Sequence, residues 1–254
     1  MKYTLTFLWI IFIVSVVTLN ASEEIGRQVR LEVVPQWYSK DKIKVYGQIS
    51  IRKEFNKNEW KRYVVKPSIA YSLGDFWSLR GGLGLLYTDN RGTKDNSGLV
   101  IADRFEIRPF QGLKYNYVLN EKWNIDTYGR LEERFDFNVD TKNSINSLRL
   151  RLRLRAIYRF SAYQSGKYYR AMFSWEGFSS LSGSTHQTDE KYRVTLGLER
   201  SFNHNQKGRV EVTWESQDYL YSRDASQIEY SQIYLRVRYY PTWGTLLNKI
   251  RRHD

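Results

Sequence analysis

One run of the sequence, in which leucine and arginine alternate, constrains the fold more than any other. It consists of Leu148, Arg149, Leu150, Arg151, Leu152, Arg153, Leu154 and Arg155. Because successive side chains of a β-strand point to opposite faces, the strand has one apolar and one cationic face. An arginine that faces lipid at mid-membrane costs about 2–4 kcal/mol, so the two faces need different environments. The same alternation recurs along most of the chain and predicts an all-β fold.

Two all-β architectures alternate in this way, the soluble sandwich and the membrane barrel. The alternating segments often run to roughly 11–16 residues, whereas a usual strand has about 5 or 6 and a tilted membrane strand needs about 9–11. Aromatic residues also flank the turns, in the pairs Tyr71 and Trp77, Tyr117 and Trp123, and Phe160 and Tyr169. Such aromatic girdles are typical of the membrane interface. The pattern therefore predicts a transmembrane antiparallel up-and-down β-barrel in the outer membrane of a Gram-negative-type bacterium.

Turn lengths predict the strand number and the orientation. Long connections are expected at 89–102, 138–147, 179–189 and 217–227, and short ones at 73–76, 120–122, 161–167 and 203–208. Outer-membrane barrels keep short turns on the periplasmic side. Ten strands follow, from 42–55 to 228–240, but residues 27–38 alternate as well. Because single-chain bacterial barrels have an even strand number, either this stretch lies outside the wall or a missed strand makes twelve; ten is favoured.

The first 21 residues have the pattern of a secretory signal peptide, which leaves 22–254 as the barrel domain. An apolar run at 5–19 follows Lys2, and Ala21 is the expected cleavage site; the alternative is an uncleaved anchor.

The net charge of +13 would suit nucleic acid, but export removes that partner. The expected partners are outer-membrane lipid and lipopolysaccharide, the barrel-insertion machinery and anionic solutes. With no cysteine and three scattered histidines, neither a metal site nor a cofactor is expected.

Three motifs resemble a known family. They comprise Glu106, Arg108, Phe110 and Gln111; Arg130, Glu132, Arg134 and Phe135; and Arg149 with Arg151. They are similar to motifs of the outer-membrane barrels grouped as domain-of-unknown-function family 2490. The resemblance covers most of the mature chain and implies an outer-membrane barrel without an established substrate. A weaker likeness, in size and interior charge only, is to oligogalacturonate-type porins.

The face opposite the apolar one should line the lumen, and it holds 21 basic and 9 acidic residues. The candidate residues form a basic ladder (Arg149, Arg151, Arg153, Arg155 and Arg159) and a network (Arg104, Glu106, Arg108, Arg130, Glu132, Arg134 and Asp136). Neighbouring ladder arginines are roughly 6.6 Å apart and repel unless they are paired or hydrated. Glu132, Asp136 and Glu106 on the preceding strands are their expected partners. Either these pairs fill a narrow barrel as a non-conducting structural plug, or the cationic excess makes a porin-like passive channel for anionic small solutes or acidic oligosaccharides.

A hydrolase is the third and least favoured hypothesis. Ser184 and His186 lie near Asp189 on an expected external loop, but polar loops contain such trios by chance. His204 and His253 are isolated, and Glu132 and Glu133 are adjacent, so they face opposite sides of a strand. We therefore expect no enzymatic activity.

The basic tail at 242–254 is expected to be a solvated periplasmic end rather than a partner-binding segment.

Overall fold

The computed structural model describes residues 26–55, 60–90, 103–140, 143–160, 168–183, 190–203, 206–220 and 227–242. The strands are β1 Gly26–Val33, β2 Gln36–Lys40, β3 Ile43–Tyr46, β4 Ile49–Glu54, β5 Lys61–Val65, β6 Ser68–Ser72, β7 Trp77–Asp89, β8 Arg104–Val118, β9 Trp123–Asn138, β10 Ser144–Arg159, β11 Tyr169–Gly183, β12 Glu190–Asn203, β13 Gln206–Leu220 and β14 Gln227–Pro241. No helix in the described part of the chain is long and apolar enough to cross a membrane.

Three of the long strands are interrupted, so that the six short strands β1 to β6 form three strands of the wall. The interruptions fall between β1 and β2 at Pro35, between β3 and β4 at Gly47, and between β5 and β6 at Pro67. Proline lacks the N–H that a central strand donates to its neighbour. Backbone hydrogen bonds continue the wall across the breaks, from the Gly47 amide to the Pro35 carbonyl (2.9 Å), from the Leu83 amide to the Pro67 carbonyl (3.2 Å), and in both directions between Gln48 and Lys66 (3.0 and 2.8 Å). Counting each interrupted pair as one, the described part of the chain contributes eleven strands to the barrel wall.

The strands close into a barrel. The ring runs β7–β5–β4–β1–β14–β13–β12–β11–β10–β9–β8 and returns to β7. On the other side of the breaks the wall continues as β2–β3–β6, and β6 pairs with β7. Every pairing is antiparallel except that of β1 with β14, which is parallel from Gly26 beside Gln232 to Val33 beside Tyr239. An all-β closed barrel is thus confirmed.

The prediction of ten strands in a wholly antiparallel wall is wrong, and so is the alternative of twelve. The stretch 27–38 lies in the wall, because β1 pairs with β4 on one side and with β14 on the other. With eleven crossings the first and last strands run in the same direction, so the closing pair is parallel. In the observed wall β1 supplies hydrogen-bond partners to both β4 and β14, so neither strand has an unpaired edge in lipid.

The barrel carries its apolar side chains outside and its charged side chains inside. On β10, Leu150, Leu152 and Leu154 are 42 %, 47 % and 50 % exposed. On β9, the inward-facing Asp126 and Glu132 are fully buried. A soluble sandwich turns its apolar faces inward, so this arrangement is that of a barrel whose outer surface faces lipid.

Aromatic rings form a belt around the outside at the end of the barrel with the turns at 73–76 and 119–122. Trp77 packs against Tyr115 with ring centroids 4.6 Å apart, and Trp123 against Tyr158 at 4.8 Å. Phe160 and Tyr169 stack at 6.1 Å. All six residues of the predicted girdle are exposed, which confirms the prediction.

The connection lengths follow the predicted alternation only in part. The connections at 139–143, 184–189 and 221–226 are shorter than expected, and the one at 160–168 is longer than the other expected short turns. The predicted signal peptide at 1–21 lies outside the described residues, as do positions 243–254 of the tail.

Candidate functional site in the barrel lumen

The predicted site residues come together inside the barrel. The ladder arginines face inward from β10, with the network residues beside them on β8 and β9. Arg104, at the end of β8, is half-exposed. This grouping follows from the period-two alternation, because Leu150, Leu152 and Leu154 occupy the lipid side.

Glu132 is the centre of the ion pairs on this side of the lumen. Its carboxylate contacts the guanidinium groups of Arg130 and Arg149, and it lies 3.7 Å from that of Arg108. One fully buried negative charge is thus shared by three arginines from three strands.

Arg151, Arg153 and Arg155 of the ladder pair with carboxylates other than those expected. Asp126 lies 3.2 Å from Arg153 and accepts a 2.8 Å hydrogen bond from Nε of Arg155. Glu176 on β11 lies 2.7 Å from Arg151. The register explains the choice, because Asp126 is directly opposite Arg155 in the β9–β10 ladder.

Glu106 and Asp136, the other two expected partners, bind elsewhere. Glu106 lies 2.7 Å from both Arg108 and Arg134, and Asp136 binds Arg104. The prediction that they pair with the ladder is therefore wrong. Both belong to a layer of ion pairs nearer the end of the barrel at which β8 begins and β9 ends.

A second ion-pair cluster spans β12, β13, β14 and β1, and sequence reasoning found it only in part. Glu32 lies 2.5 Å from Arg238, and Glu199 lies 3.8 Å from Lys207. The predicted lumen omitted Arg30, Glu32 and Lys207, the first two because β1 was placed outside the wall and the last because it was placed in a turn. The signal was visible in β1, where Gln28, Arg30 and Glu32 alternate with apolar residues.

Carboxylates do not balance the cations of the lumen. Among the described residues, nine carboxylates lie within 4 Å of sixteen lysine and arginine side chains. Arg52, Lys66 and Arg80 are further cations, and none of them forms an ion pair with the part of the chain that the structure describes. They lie on the β4–β7 side of the barrel.

Aromatic rings hold several of these cations without neutralising them. Lys66 and Arg130 lie over the Phe110 ring at 5.3 and 4.8 Å from its centroid. Arg80 and Arg153 lie over the Tyr128 ring at 5.6 and 5.4 Å. A cation over an aromatic face is attracted by the ring quadrupole and keeps its full charge.

The lumen contains a cavity of about 590 Å³ whose charged lining residues are almost all basic. Sixteen lysine and arginine residues line it, against one acidic residue, Glu32. The other carboxylates, including Glu132 and Asp126, lie behind the arginines against the wall. The guanidinium groups therefore present their charge to the open space.

The cavity spans only part of the barrel. Its lining runs from Tyr240 and Thr242, where β14 ends, to Arg149 and Arg193. The Glu106–Arg134 and Arg104–Asp136 pairs lie beyond that level and do not line it. A layer of ion pairs thus stands between the cavity and the opposite end of the barrel.

Neither a metal cluster nor a catalytic trio is found in the lumen as described. The described residues contain no group of three or more histidines, cysteines or carboxylates that could hold a metal ion. Ser184, His186, Asp189, His204 and His253 lie outside the described residues, so the absence of enzymatic activity stays a prediction.

Two solved structures match most of this chain. One is described as NanC porin, with a TM-score of 0.48 and 13% identity, and the match covers 84% of this chain and 93% of that one. The other, OmpT, an outer membrane protein of Vibrio cholerae, has a TM-score of 0.33 and 11% identity, with 84% and 94% covered. No curated protein matches the chain in sequence. The family model described as "Protein of unknown function (DUF2490)" matches residues 34–223, so the chain belongs to that family, as its motifs indicated.

Proposed function

We propose that this protein is a porin-like passive channel of the bacterial outer membrane that prefers anionic solutes. The observation that carries the proposal is the cavity lining of sixteen cations and one carboxylate. A cleft lined by one sign of charge with low-dielectric walls raises the local concentration of counter-ions. The solutes we propose are small acidic molecules or acidic oligosaccharides.

The arginine ladder supports transport as well as attraction. Its planar guanidinium groups can bind both oxygens of a carboxylate. Several equivalent sites along one strand would pass an anion from one to the next, and conduction requires binding that is weak and repeated. Because Arg151 and Arg153 each share a carboxylate with other cations, neither is fully neutralised.

A non-conducting barrel is the second candidate. The ion pairs of Arg104, Glu106, Arg134 and Asp136 favour it, since they lie beyond the cavity and do not line it. In that case the cavity would be a binding chamber reached from one end, and the protein would have a structural or surface-binding role.

Recording in planar bilayers separates the two candidates. For the channel we expect discrete openings and, in a potassium chloride gradient, a reversal potential that reports anion preference. Arg151→Gln with Arg153→Gln should weaken that preference, whereas Lys122→Gln, in an exposed turn, should leave it unchanged. Glutamine is the better replacement, because glutamate would face Glu176 and Asp126. Folded, inserted protein that conducts nothing, or prefers cations, would overturn the channel.

A further inference from the structure

Four cations of the cavity lining form one group, namely Lys66, Arg52, Arg130 and Arg151. Lys66 and Arg130 share the Phe110 ring, at 5.3 and 4.8 Å from its centroid. The positive charges of Arg52 and Arg151 also act on Lys66, as does the negative charge of Glu32. All four cations line the cavity.

The available carboxylates leave this group strongly positive. Within the described ranges, Lys66 and Arg52 form no ion pair, and Arg130 shares Glu132 with Arg149 and Arg108. Arg151 shares Glu176 with Arg193. Like charges held close together in a low-dielectric lumen repel unless a counter-ion is bound.

Unsatisfied donors point to the kind of ligand. Nε of Arg52, Arg130 and Arg151 is buried and donates no hydrogen bond to any described residue. Arg130 is only 6 % exposed. Buried donors normally have an acceptor, and a ligand that offsets several cations has to carry more than one negative charge.

The cations around Phe110 suit a ligand with several acceptor oxygens. Phe110 and Val64 line the cavity beside them and supply apolar wall, whereas guanidinium and ammonium groups only donate hydrogen bonds. A phosphate group carries about −2 at neutral pH and has three strong acceptor oxygens. Arginine forks and a lysine point charge are the usual protein partners for it.

We infer that Lys66, Arg52, Arg130 and Arg151 form a mid-lumen site for a phosphate group, either inorganic phosphate or the phosphate of a monoester. The inference names the solute class of the proposed channel and rests on that proposal. Phosphate would bridge the β4–β6 side and the β9–β10 side of the lumen, with its oxygens on the guanidinium and ammonium groups that line the cavity. A monovalent carboxylate would satisfy fewer donors and bind more weakly.

Isothermal titration calorimetry on the folded protein in detergent micelles tests the site without requiring conduction. At constant ionic strength, inorganic phosphate and glycerol phosphate should each bind saturably, and at least about tenfold more tightly than acetate, because phosphate makes more hydrogen bonds to charged donors. Inorganic phosphate binding alone would assign the site to the free anion. Tighter binding of succinate than of both phosphates, or no saturable phosphate binding, would overturn the inference.

Two variants locate the binding. Lys66→Gln and Arg52→Gln should each weaken phosphate binding by about tenfold. Neither breaks an ion pair with a described residue, so both should fold, which heat-modifiable migration on gels checks. The exposed Lys122→Gln should bind as the parent does. Unchanged affinity in both lumen variants would refute the site, and a parent that binds phosphate but conducts nothing would refute only the channel.

Discussion

The Phe110 ring lies directly against Gly82 on the neighbouring strand. A Cβ built on Gly82 would lie 2.7 Å from Cε1 and Cζ of Phe110, and 2.4 Å from the carbonyl oxygen of Pro67. Only glycine lets the ring lie flat against the wall, where its face is open to Lys66 and Arg130. The contact therefore links the strand break at Pro67 to the positions of Lys66 and Arg130 in the cavity.

Gly82→Ala should therefore destabilise the barrel and disturb the lumen. Overpacking costs about 1–3 kcal/mol, and here part of the clash is with backbone, which relaxes least. The measurement is the urea midpoint of the folded protein in micelles, followed by tryptophan fluorescence. Gly129→Ala is the matched control, since a Cβ there would meet nothing within 4 Å. Equal midpoints for the two variants would contradict the packing described.

Glu132→Gln should be among the most destabilising single substitutions of the lumen. It keeps the shape of the side chain but removes the charge that Arg130, Arg149 and Arg108 share. Breaking a buried ion pair on one side costs about 3–5 kcal/mol. The gel temperature at which the folded form is lost should fall.

The adjacent Glu133→Gln provides the control for Glu132→Gln. Glu133 is exposed on the outer face of the same strand, so its loss should change that temperature little. If both substitutions lower it equally, the shared carboxylate is not a main support of the lumen.

The parallel seam between β1 and β14 can be tested with cysteine pairs, because the parent has no cysteine. Leu31 is opposite Val237 on β14 and opposite Ile51 on β4. Oxidation of Leu31→Cys with Val237→Cys should form a disulfide, which a gel under non-reducing conditions shows.

The pair Val237→Cys with Ile51→Cys separates the observed wall from a ten-stranded one. In the observed barrel β1 stands between these strands, so the two positions are about 9–10 Å apart. A disulfide needs Cα atoms closer than about 7 Å, so this pair should stay reduced. Efficient crosslinking of it would place β14 beside β4 and remove β1 from the wall.

We expect the protein to fractionate with the outer membrane and to need detergent for extraction. The reason is the outward apolar face, where Leu150, Leu152 and Leu154 are about half exposed. Boiled and unboiled samples should migrate differently on a gel. A monodisperse soluble protein without detergent would contradict the lipid-facing assignment.

We also expect no serine-dependent hydrolase activity from the purified protein, tested with ester and peptide substrates. Parent protein and Ser184→Ala should give the same background rate, as should His186→Ala. An activity that disappears specifically in these two variants would show that the trio near Asp189 is catalytic.

The sequence by itself determined which residues face the lumen on most strands. The alternation from Arg149 to Arg155 sufficed, since side-chain direction in a strand is set by the backbone within a few residues. The cost of arginine in lipid then assigned the basic face to the interior. The aromatic girdle could likewise be predicted, because Trp77 and Trp123 stand beside turns in the sequence itself.

Only the tertiary structure decided how the wall closes and which charges meet. Pairing β1 with β14 joins residues about two hundred positions apart, and no local pattern specifies the direction of such a pair. The register then placed Asp126 opposite Arg155 and sent Glu106 to Arg108 and Arg134. Alternation fixes the face of a side chain but not its height in the barrel, which depends on the stagger between strands. The Phe110–Gly82 contact and the cavity cations it positions depend on that stagger.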